Sequence, residues 1–178
     1  VQLSDGSVVH FQEWWVRMQA QVPATGFEVR GSETAKAAPG VTAAINGADV
    51  VLLAPSNPVV SIGSILAVPG IAAAVRETRA TVVGLSPIVG GSPVRGMADA
   101  CLAAIGVETA ADAVAHHYGA RRSGGLIDGW LVDETDGDLA APLAAAGFAC
   151  RAVPLLMHDV AATAAMARAA VELAVELA

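Results

Sequence analysis

Lysine is almost absent from this sequence. Lys36 is the single lysine, ten basic residues in all stand against seventeen acidic ones, and the net charge is −7. A protein that binds a nucleic-acid backbone needs a basic stripe that displaces counterions from the phosphates. We therefore expect no nucleic-acid partner, and we expect any phosphate ligand to be held by local hydrogen-bond donors or by a metal.

Long hydrophobic runs are also missing, although hydrophobic residues make up 54% of the chain. No run reaches the roughly 18 apolar residues that a membrane-spanning helix needs. The N-terminus lacks the basic region and the apolar stretch of a secretory signal. These absences predict a protein without a membrane partner and with a cytoplasmic location.

Cysteine and the common catalytic motifs are scarce. Cys101 and Cys150 are far apart in apolar surroundings and have no metal-ligand spacing, so we interpret both as small buried hydrophobic residues. The sequence contains no P-loop, no GxGxxG fingerprint, no HExxH motif and no nucleophile elbow. The residues alone therefore identify neither a catalytic group nor a metal ligand.

Apolar runs that alternate with helical patterns are what the chain does contain. At 178 residues it has the length of one domain. The alternation predicts one α/β domain, residues 1–178, with a Rossmann-like parallel sheet and flanking helices. Strands are predicted at 50–54, 81–86, 126–132 and 150–153, and helices at 40–46, 64–67, 71–79, 97–105, 109–118, 139–146 and 159–177. The first two strands are predicted to be fully buried.

The N-terminal residues indicate that structure is missing before them. Val1 is not a methionine, and residues 1–11 alternate around Asp5-Gly6 like a β-hairpin already under way. We expect the chain to be the C-terminal part of a longer protein, with a sheet that is incomplete at its N-terminal side. An incomplete sheet exposes apolar surface, so we also expect a homodimer.

Two tryptophans stand side by side in a short helical pattern at 11–18, and an edge strand is predicted at 27–30. Trp14 and Trp15 share one face of that helix with Phe11. Two interpretations remain open for them: a large aromatic anchor in the core, or a stacking surface for a flat ligand.

Small polar residues follow the first predicted strand, where α/β sheets bind their ligands. Ser56 and Ser61 supply hydroxyls, Asn57 a carboxamide, and Gly63 a close approach of the backbone. These groups are the parts of an anion cradle, and Pro58 keeps Asn57 out of the α region. The alternative is an ordinary Pro/Asn/Gly turn between a strand and a helix.

A second unusual loop, residues 86–96, follows the next predicted strand. Consecutive right-handed βα units place both loops at one edge of the sheet, so we expect them to wall a single pocket. Arg95 is either a mobile cation beside that pocket or a surface arginine at a helix start.

Four motifs together resemble a known family. They are HFQEWWV at 10–16, PSNPVVSIG at 55–63, SPIVGG at 86–91 with Pro93 and Gly96, and the Leu156-Met157 pair. In this order and combination they are similar to the 2-phospho-L-lactate transferase family of coenzyme F-420 biosynthesis. The double tryptophan and residues 96–101 resemble its actinobacterial, phosphoenolpyruvate transferase branch.

The resemblance implies a reaction and its partners. A phosphoenolpyruvyl or 2-phospholactyl group moves from a guanosine diphosphate (GDP) linked donor to the ribityl hydroxyl of 7,8-didemethyl-8-hydroxy-5-deazariboflavin, and guanosine monophosphate leaves. It also implies Mg²⁺ as cofactor. The resemblance places the metal ligands and the catalytic residues upstream of Val1, so we expect the fragment alone to be inactive and to contain no metal ligand.

We expect the substrate-binding residues to come from these motifs: Trp14, Ser56, Asn57, Pro58, Ser61, Ile62, Gly63, Ser86, Pro87, Gly90 and Gly91. Replacing Asn57 by alanine is expected to weaken nucleotide binding with little loss of stability. Two other functions stay open. One is a non-catalytic nucleotide-binding or assembly module of the same fold, and the other is a dehydrogenase, which the missing dinucleotide fingerprint disfavours.

Overall fold

A computed structural model describes residues 1–178 of the chain. Short strands and helices alternate along it, as the sequence predicts. In chain order the elements are β1 (Gln2–Leu3), β2 (Ala24–Gly26), α1 (Val41–Asn46), β3 (Val50–Leu53), α2 (Ser64–Leu66), α3 (Ile71–Glu77), β4 (Thr81–Leu85), β5 (Ile88–Val89), β6 (Ser92–Pro93), α4 (Ala98–Ala104), α5 (Ala111–Tyr118), β7 (Gly129–Val132), α6 (Ala140–Ala146), β8 (Ala149–Ala152) and α7 (Val160–Leu177).

Four parallel strands form the central sheet in the order β3-β4-β7-β8. The predicted α/β fold with a parallel sheet and flanking helices is confirmed. The prediction that β3 is fully buried was wrong, because β3 is an edge strand that pairs only with β4. Its Leu52 is 39% exposed. β4, which has a neighbour on each side, is buried along its whole length.

The two faces of the sheet are covered unequally. Several helices and their loops bury one face around Trp130, whose indole Nε1 donates to the Ala111 carbonyl at 3.1 Å. The other face is covered by α7, through Met166 and Leu173 among others. Asp159 begins α7 as predicted, because its carboxylate accepts the amide of Ala162 at 2.7 Å. Burying both faces explains why β3 and β4 are continuous apolar runs.

No single helix is both long and apolar enough to cross a membrane. One bent pair of helical segments, Pro58–Leu66 and Ile71–Glu77, passes the same test of length and composition, with 84° between them.

The N-terminal region follows its prediction in part. β1 pairs with β2, and residues 1–9 also form the expected hairpin, with two hydrogen bonds between Val1 and Val9 and the bridge between Gln2 and Val8. No strand forms at 27–30, so that prediction was wrong, whereas the helix expected at 11–18 is present over residues 11–17, with Glu13–Arg17 as a π-helical turn. The fully buried Trp14 of this helix connects it to the segment that leads into β2, because its indole Nε1 donates to the Val22 carbonyl at 2.8 Å.

Candidate functional site

The two polar loops lie at the same edge of the sheet. β3 and β4 are parallel neighbours, so residues 56–63 and 86–96 both follow carboxyl ends of strands. Ile62 of the first loop and Ile88 of the second belong to one buried cluster. The predicted common edge is therefore confirmed.

Asn57 organises the first loop. Its side-chain Oδ1 accepts the amides of Val59 at 2.9 Å and Val60 at 3.1 Å, so it caps the π-helical turn Pro58–Gly63. The backbone carbonyl of Asn57 accepts two further amides, from Ser61 and Ile62. That replacing Asn57 costs little stability stays a prediction, and the bonds of its side chain argue against it, because the amides of Val59 and Val60 would lose their cap. Because Asn57 occupies the amides of Val59 and Val60, these two amides are not free to bind an anion.

The other half of the Asn57 carboxamide faces the protein interior. Its Nδ2 is buried without a hydrogen-bond partner. The Cys101 thiol lies close enough to the Asn57 carboxamide for that group to lower its pKa, but no hydrogen bond of ordinary geometry joins the two groups. Burial raises the pKa of Cys101, and the opposing effect of Asn57 is smaller. Cys101 is therefore an inert buried residue, as expected, whereas Cys150 is only half-buried, which still raises its pKa to about 11.

The hydroxyls of Ser56 and Ser61 are the ligand donors that the first loop leaves free. Both serines are half-buried, and neither hydroxyl makes a hydrogen bond within the protein. Pro58 and Ile62 are buried and support the turn. A Cβ atom at Gly63 would lie 2.8 Å from the Pro58 carbonyl oxygen, so glycine is required there by the π-helical turn itself.

The second loop is a closed hairpin. Ser86 is buried, and its hydroxyl donates to the Ile88 carbonyl at 2.7 Å and accepts the Ile88 amide at 3.1 Å. Gly90 and Gly91 have φ of 56° and 75°, as the two-residue turn between β5 and β6 requires. This hairpin was not predicted, although a Gly-Gly pair between two short β-branched or polar segments is a signal for it.

A contact with the next loop fixes this hairpin in place. The Gly90 amide donates to the Asp136 carboxylate, at 2.9 Å to its nearer oxygen. Pro87 is buried with Ser86, while Gly91 and Arg95 are exposed, and Arg95 forms no ion pair. Gly90 and Gly91 therefore reach solvent at this edge, whereas Ser86 and Pro87 are buried.

Trp14 has no ring face open to a ligand in this structure, because it is fully buried. The aromatic-anchor interpretation describes it, and we leave Trp14 out of the candidate site. Trp15 is only half-buried and stacks on Phe11, with ring centroids 5.3 Å apart and planes at 25°. Its indole also lies beside Gly96 of the second loop.

Asp133, at the carboxyl end of β7, is a structural carboxylate. It accepts the Leu155 amide at 2.9 Å, and the Thr135 amide and hydroxyl at 3.0 and 2.7 Å. Burial raises the pKa of Asp133, but these three hydrogen bonds outweigh it and leave the pKa below its ordinary value. No group of three or more histidine, cysteine, aspartate or glutamate side chains is placed to hold a metal ion. The residues of this chain therefore do not by themselves fit the Mg²⁺ that the family resemblance implies.

A cavity of about 640 Å³ opens on the outer side of the first loop. The π-helical turn contributes Val59 and Val60 to its wall, and Ser64 follows them. A second cavity, of about 430 Å³, lies at the opposite edge of the sheet beside Arg121 and Asp128. Neither cavity lies between the two loops, so a pocket walled by both loops stays a prediction.

The fold and its polar loops define an α/β protein with a candidate ligand site at the carboxyl edge of a parallel sheet. Two crystal structures of a Bacillus halodurans protein of the UPF0052 family share the fold. One has a TM-score of 0.56 at 22% identity and covers 93% of this chain and 56% of the other. The second has a TM-score of 0.53 at 17% identity, with coverages of 96% and 57%.

The chain belongs to the family described as 2-phospho-L-lactate transferase CofD, whose model matches residues 1–171. It is similar to three actinobacterial proteins named phosphoenolpyruvate transferase. The one from Streptomyces griseus is 59% identical and covers 97% of this chain. Those from Streptomyces coelicolor and Thermobifida fusca are 61% and 62% identical, each over 95% of this chain. The chain spans only about half the length of these relatives, from 49% to 53%.

Proposed function

We propose that this chain is part of a transferase of coenzyme F-420 biosynthesis. The enzyme moves a phosphoenolpyruvyl group, or a 2-phospholactyl group, from a GDP-linked donor to the ribityl hydroxyl of 7,8-didemethyl-8-hydroxy-5-deazariboflavin and releases guanosine monophosphate. The observation that carries the proposal is the family match over residues 1–171, together with relatives about 60% identical that are named phosphoenolpyruvate transferase. A cytoplasmic location and a homodimer remain predictions of the same proposal.

The residues of this chain bind and orient substrate in the proposed reaction. An alcohol attacks phosphorus in line with the leaving nucleotide, which needs positioning and charge neutralisation rather than a protein nucleophile. The free hydroxyls of Ser56 and Ser61 donate hydrogen bonds to the donor phosphates. Asn57 acts as a positioning residue, because its bonds to Val59 and Val60 hold the turn that carries Ser61.

The second loop forms the neighbouring wall through its exposed turn. Gly90 and Gly91 carry no side chains, so the hairpin allows close approach of a ligand. When bound, Mg²⁺ would neutralise charge on the diphosphate. The residues of this chain offer no group of side chains that would hold the ion.

A non-catalytic module that binds a nucleotide is the second candidate. One observation favours it: two carboxylates near the loops, Asp133 and Asp136, are both engaged by backbone amides and are not free to act as a general base. This module would bind the nucleotide through the same serines but would not turn over the donor.

The test measures binding of GDP by calorimetry and release of guanosine monophosphate by chromatography, on the longest natural polypeptide that contains this chain. The double variant Ser56→Ala/Ser61→Ala is expected to bind GDP at least tenfold more weakly, since hydrogen bonds to a charged group contribute about 1.5–3 kcal/mol each. Ser123→Ala is the matched control, because its exposed hydroxyl makes no hydrogen bond and lies away from the loops.

The outcomes separate the two candidates. Nucleotide binding with product release supports the transferase, and nucleotide binding without product release, in the presence of Mg²⁺ and both substrates, supports the module. Unchanged GDP affinity in the double variant would remove the first loop from the site.

A further inference from the structure

Three arginines line the cavity of about 430 Å³ at the edge of the sheet opposite the two loops: Arg79, Arg121 and Arg122. We call this space the arginine cavity. Asp128 is the one carboxylate side chain among its lining residues. Positive charge therefore collects in this cavity, although the chain as a whole carries a net charge of −7.

Asp128 does not neutralise all three arginines. Arg121 takes up both of its carboxylate oxygens, Oδ1 at 3.2 Å from Nε and Oδ2 at 2.8 Å from Nη2. Arg121 also donates to the backbone carbonyls of the chain before β4, so this arginine and this aspartate satisfy each other. No carboxylate pairs with Arg79 or Arg122, and neither guanidinium donates a hydrogen bond within the protein. Two positive charges in the cavity wall are thus left without a partner.

A glycine makes room for one of these free arginines. The Arg122 guanidinium lies across Gly147, which follows the last residue of α6 with φ of 109°. A side chain at position 147 would collide with that guanidinium. The backbone conformation and the arginine both require glycine there, and Arg122 is placed at the cavity although no acceptor binds it.

A free hydroxyl lies in the same wall. Thr81, the first residue of β4, lines the cavity and is only 7% exposed. Its hydroxyl makes no hydrogen bond within the protein, yet its oxygen is not among the fully enclosed atoms that lack a partner. The hydroxyl is therefore open to a molecule that enters the cavity, and it offers that molecule a third donor.

We propose that the arginine cavity binds a phosphate group, either inorganic phosphate or the phosphate of a small monoester. Free guanidiniums present their N–H donors in a planar fork that matches phosphate oxygens. The cavity volume lies within the roughly 300–1,000 Å³ of small-molecule sites, so a phosphate with a small organic part fits. A nucleic-acid backbone does not suit the cavity, because two arginines do not form the basic stripe that such a polymer needs.

This inference does not depend on the proposed function. The arginine cavity lies at the amino edge of the parallel strands, whereas Ser56 and Ser61 lie at the carboxyl edge. A phosphate in the cavity and a nucleotide at the two loops therefore occupy separate sites.

Two helix ends in the wall offer the arginines another role. Residues from the last turns of α6 and α7 line the cavity, and basic side chains near the carboxyl end of a helix stabilise it through the helix dipole. That role needs no ligand. The experiment must therefore measure phosphate binding and ligand-free stability separately.

The test measures binding of inorganic phosphate and of glycerol 3-phosphate by calorimetry at constant ionic strength, on the longest natural polypeptide that contains this chain. The variants are Arg79→Gln, Arg122→Gln, the double variant Arg79→Gln/Arg122→Gln, and Thr81→Val, which keeps the β-branched shape and removes the hydroxyl. Arg168→Gln is the matched control, because Arg168 is exposed, forms no ion pair and does not line the cavity. Thermal melting with and without phosphate checks folding and gives a second readout, since a ligand of the folded state raises the melting temperature.

We expect phosphate affinity to fall at least fivefold in each single arginine variant, at least twentyfold in the double variant and at least threefold in Thr81→Val. Arg168→Gln should change it less than twofold. GDP affinity should stay unchanged in the double arginine variant, and phosphate affinity should stay unchanged in Ser56→Ala/Ser61→Ala. Tighter binding of glycerol 3-phosphate identifies a monoester as the ligand and tighter binding of inorganic phosphate identifies the free ion, and either result supports the proposal.

Four results would overturn the proposal. The first is wild-type phosphate affinity in the folded double arginine variant, and the second is an equal loss in Arg168→Gln, which would reduce the effect to net charge. The third is a wild type that binds neither probe; a lower melting temperature of the double variant would then assign the arginines to the helix ends. The fourth is loss of GDP affinity in the double arginine variant but not in the serine variant, which would place the nucleotide in this cavity.

Discussion

Arg121 and Asp128 form a two-point ion pair at the edge of the sheet opposite the two loops. Nη2 of the guanidinium lies 2.8 Å from Oδ2 of the carboxylate, and Nε lies 3.2 Å from Oδ1. The guanidinium also donates to the carbonyls of Thr78 and Ala80, at 3.1 and 2.8 Å, and Asp128 accepts the Val82 amide at 2.9 Å. One arginine thus joins the end of α3, the start of β4 and the segment before β7.

Replacing this arginine is expected to destabilise the fold while leaving GDP binding intact. Arg121→Met leaves Asp128 and the carbonyls without their partner, and we expect a loss of about 2–3 kcal/mol in the free energy of unfolding. The pair is partly exposed, with 19% and 27% of the two side chains accessible, so the loss should fall below that of a fully buried pair. Urea denaturation measures this loss of unfolding free energy. The control is Arg122→Met, at an exposed arginine, for which we expect a loss of less than about 0.5 kcal/mol. An equal loss in both variants would contradict the special position of Arg121.

Asn57 offers a test that separates capping from direct ligand contact. Asn57→Ala is expected to cost about 1–2 kcal/mol, because the amides of Val59 and Val60 lose their acceptor. Nucleotide affinity should fall as well, since the turn carrying Ser61 loosens. Asn57→Ser supplies another capping oxygen and should recover most of both losses. If Asn57→Ser melts like the wild type but binds GDP as poorly as Asn57→Ala, the carboxamide contacts the nucleotide directly.

Asp133 predicts a specific pH dependence of stability. The pKa of its carboxyl is lower in the folded protein than its ordinary value of 3.8, so its contribution is complete above 3.8 and disappears as the pH falls through the folded pKa. We expect Asp133→Asn to cost about 1–3 kcal/mol at pH 7 and progressively less below pH 3.8. Urea titrations between pH 7 and pH 2.5 test this. Asp138→Asn, at an exposed carboxylate without a hydrogen bond, should follow the wild-type curve, and a constant difference between Asp133→Asn and the wild type would refute the assignment.

The open edge of β3 predicts self-association of the 178-residue chain. β3 pairs on one side only, and Leu52 is 39% exposed on an otherwise apolar face. An unpaired parallel strand with exposed apolar side chains is a ready interface. Light scattering is expected to show dimers or larger species, and Leu52→Lys should shift them towards monomer while Val16→Lys does not. A monodisperse monomer that melts cooperatively would contradict this prediction.

The sheet was predictable because its signal is local. β3 and β4 are apolar runs, β7 and β8 are largely apolar, and the observed ends of all four lie within three residues of the prediction. In the N-terminal region the hairpin and the helix were predictable for the same reason, whereas the pairing of β1 with β2 was not, because it depends on a tertiary contact. The hydrogen bond from Trp14 to Val22 brings β2 beside β1, and no pattern in residues 1–11 reveals it.

The candidate site was predicted in position but not in detail. Its place at the carboxyl edge of β3 and β4 follows from parallel topology alone. Which polar side chains are free for a ligand, and which bond the backbone of their own loop, depends on side-chain orientation, and the sequence does not reveal it. Asn57 and Ser86 carry polar atoms that suit a ligand, yet both are used by the backbone of their own loops. Only the geometry shows that Ser56 and Ser61 remain free.

The strand order has a consequence for how the chain folds during synthesis. Strands follow one another across the sheet in the order in which the ribosome makes them, so each new strand meets a neighbour that already exists. Because no strand has to wait for a partner that is made later, this order avoids a delay that otherwise slows the folding of parallel sheets. α7 is the exception, because it is made last and yet covers Val83, Leu85 and Leu131. Until it emerges, these apolar side chains on one face of the nascent sheet stay uncovered, and we expect the chain to be most prone to aggregation in this interval.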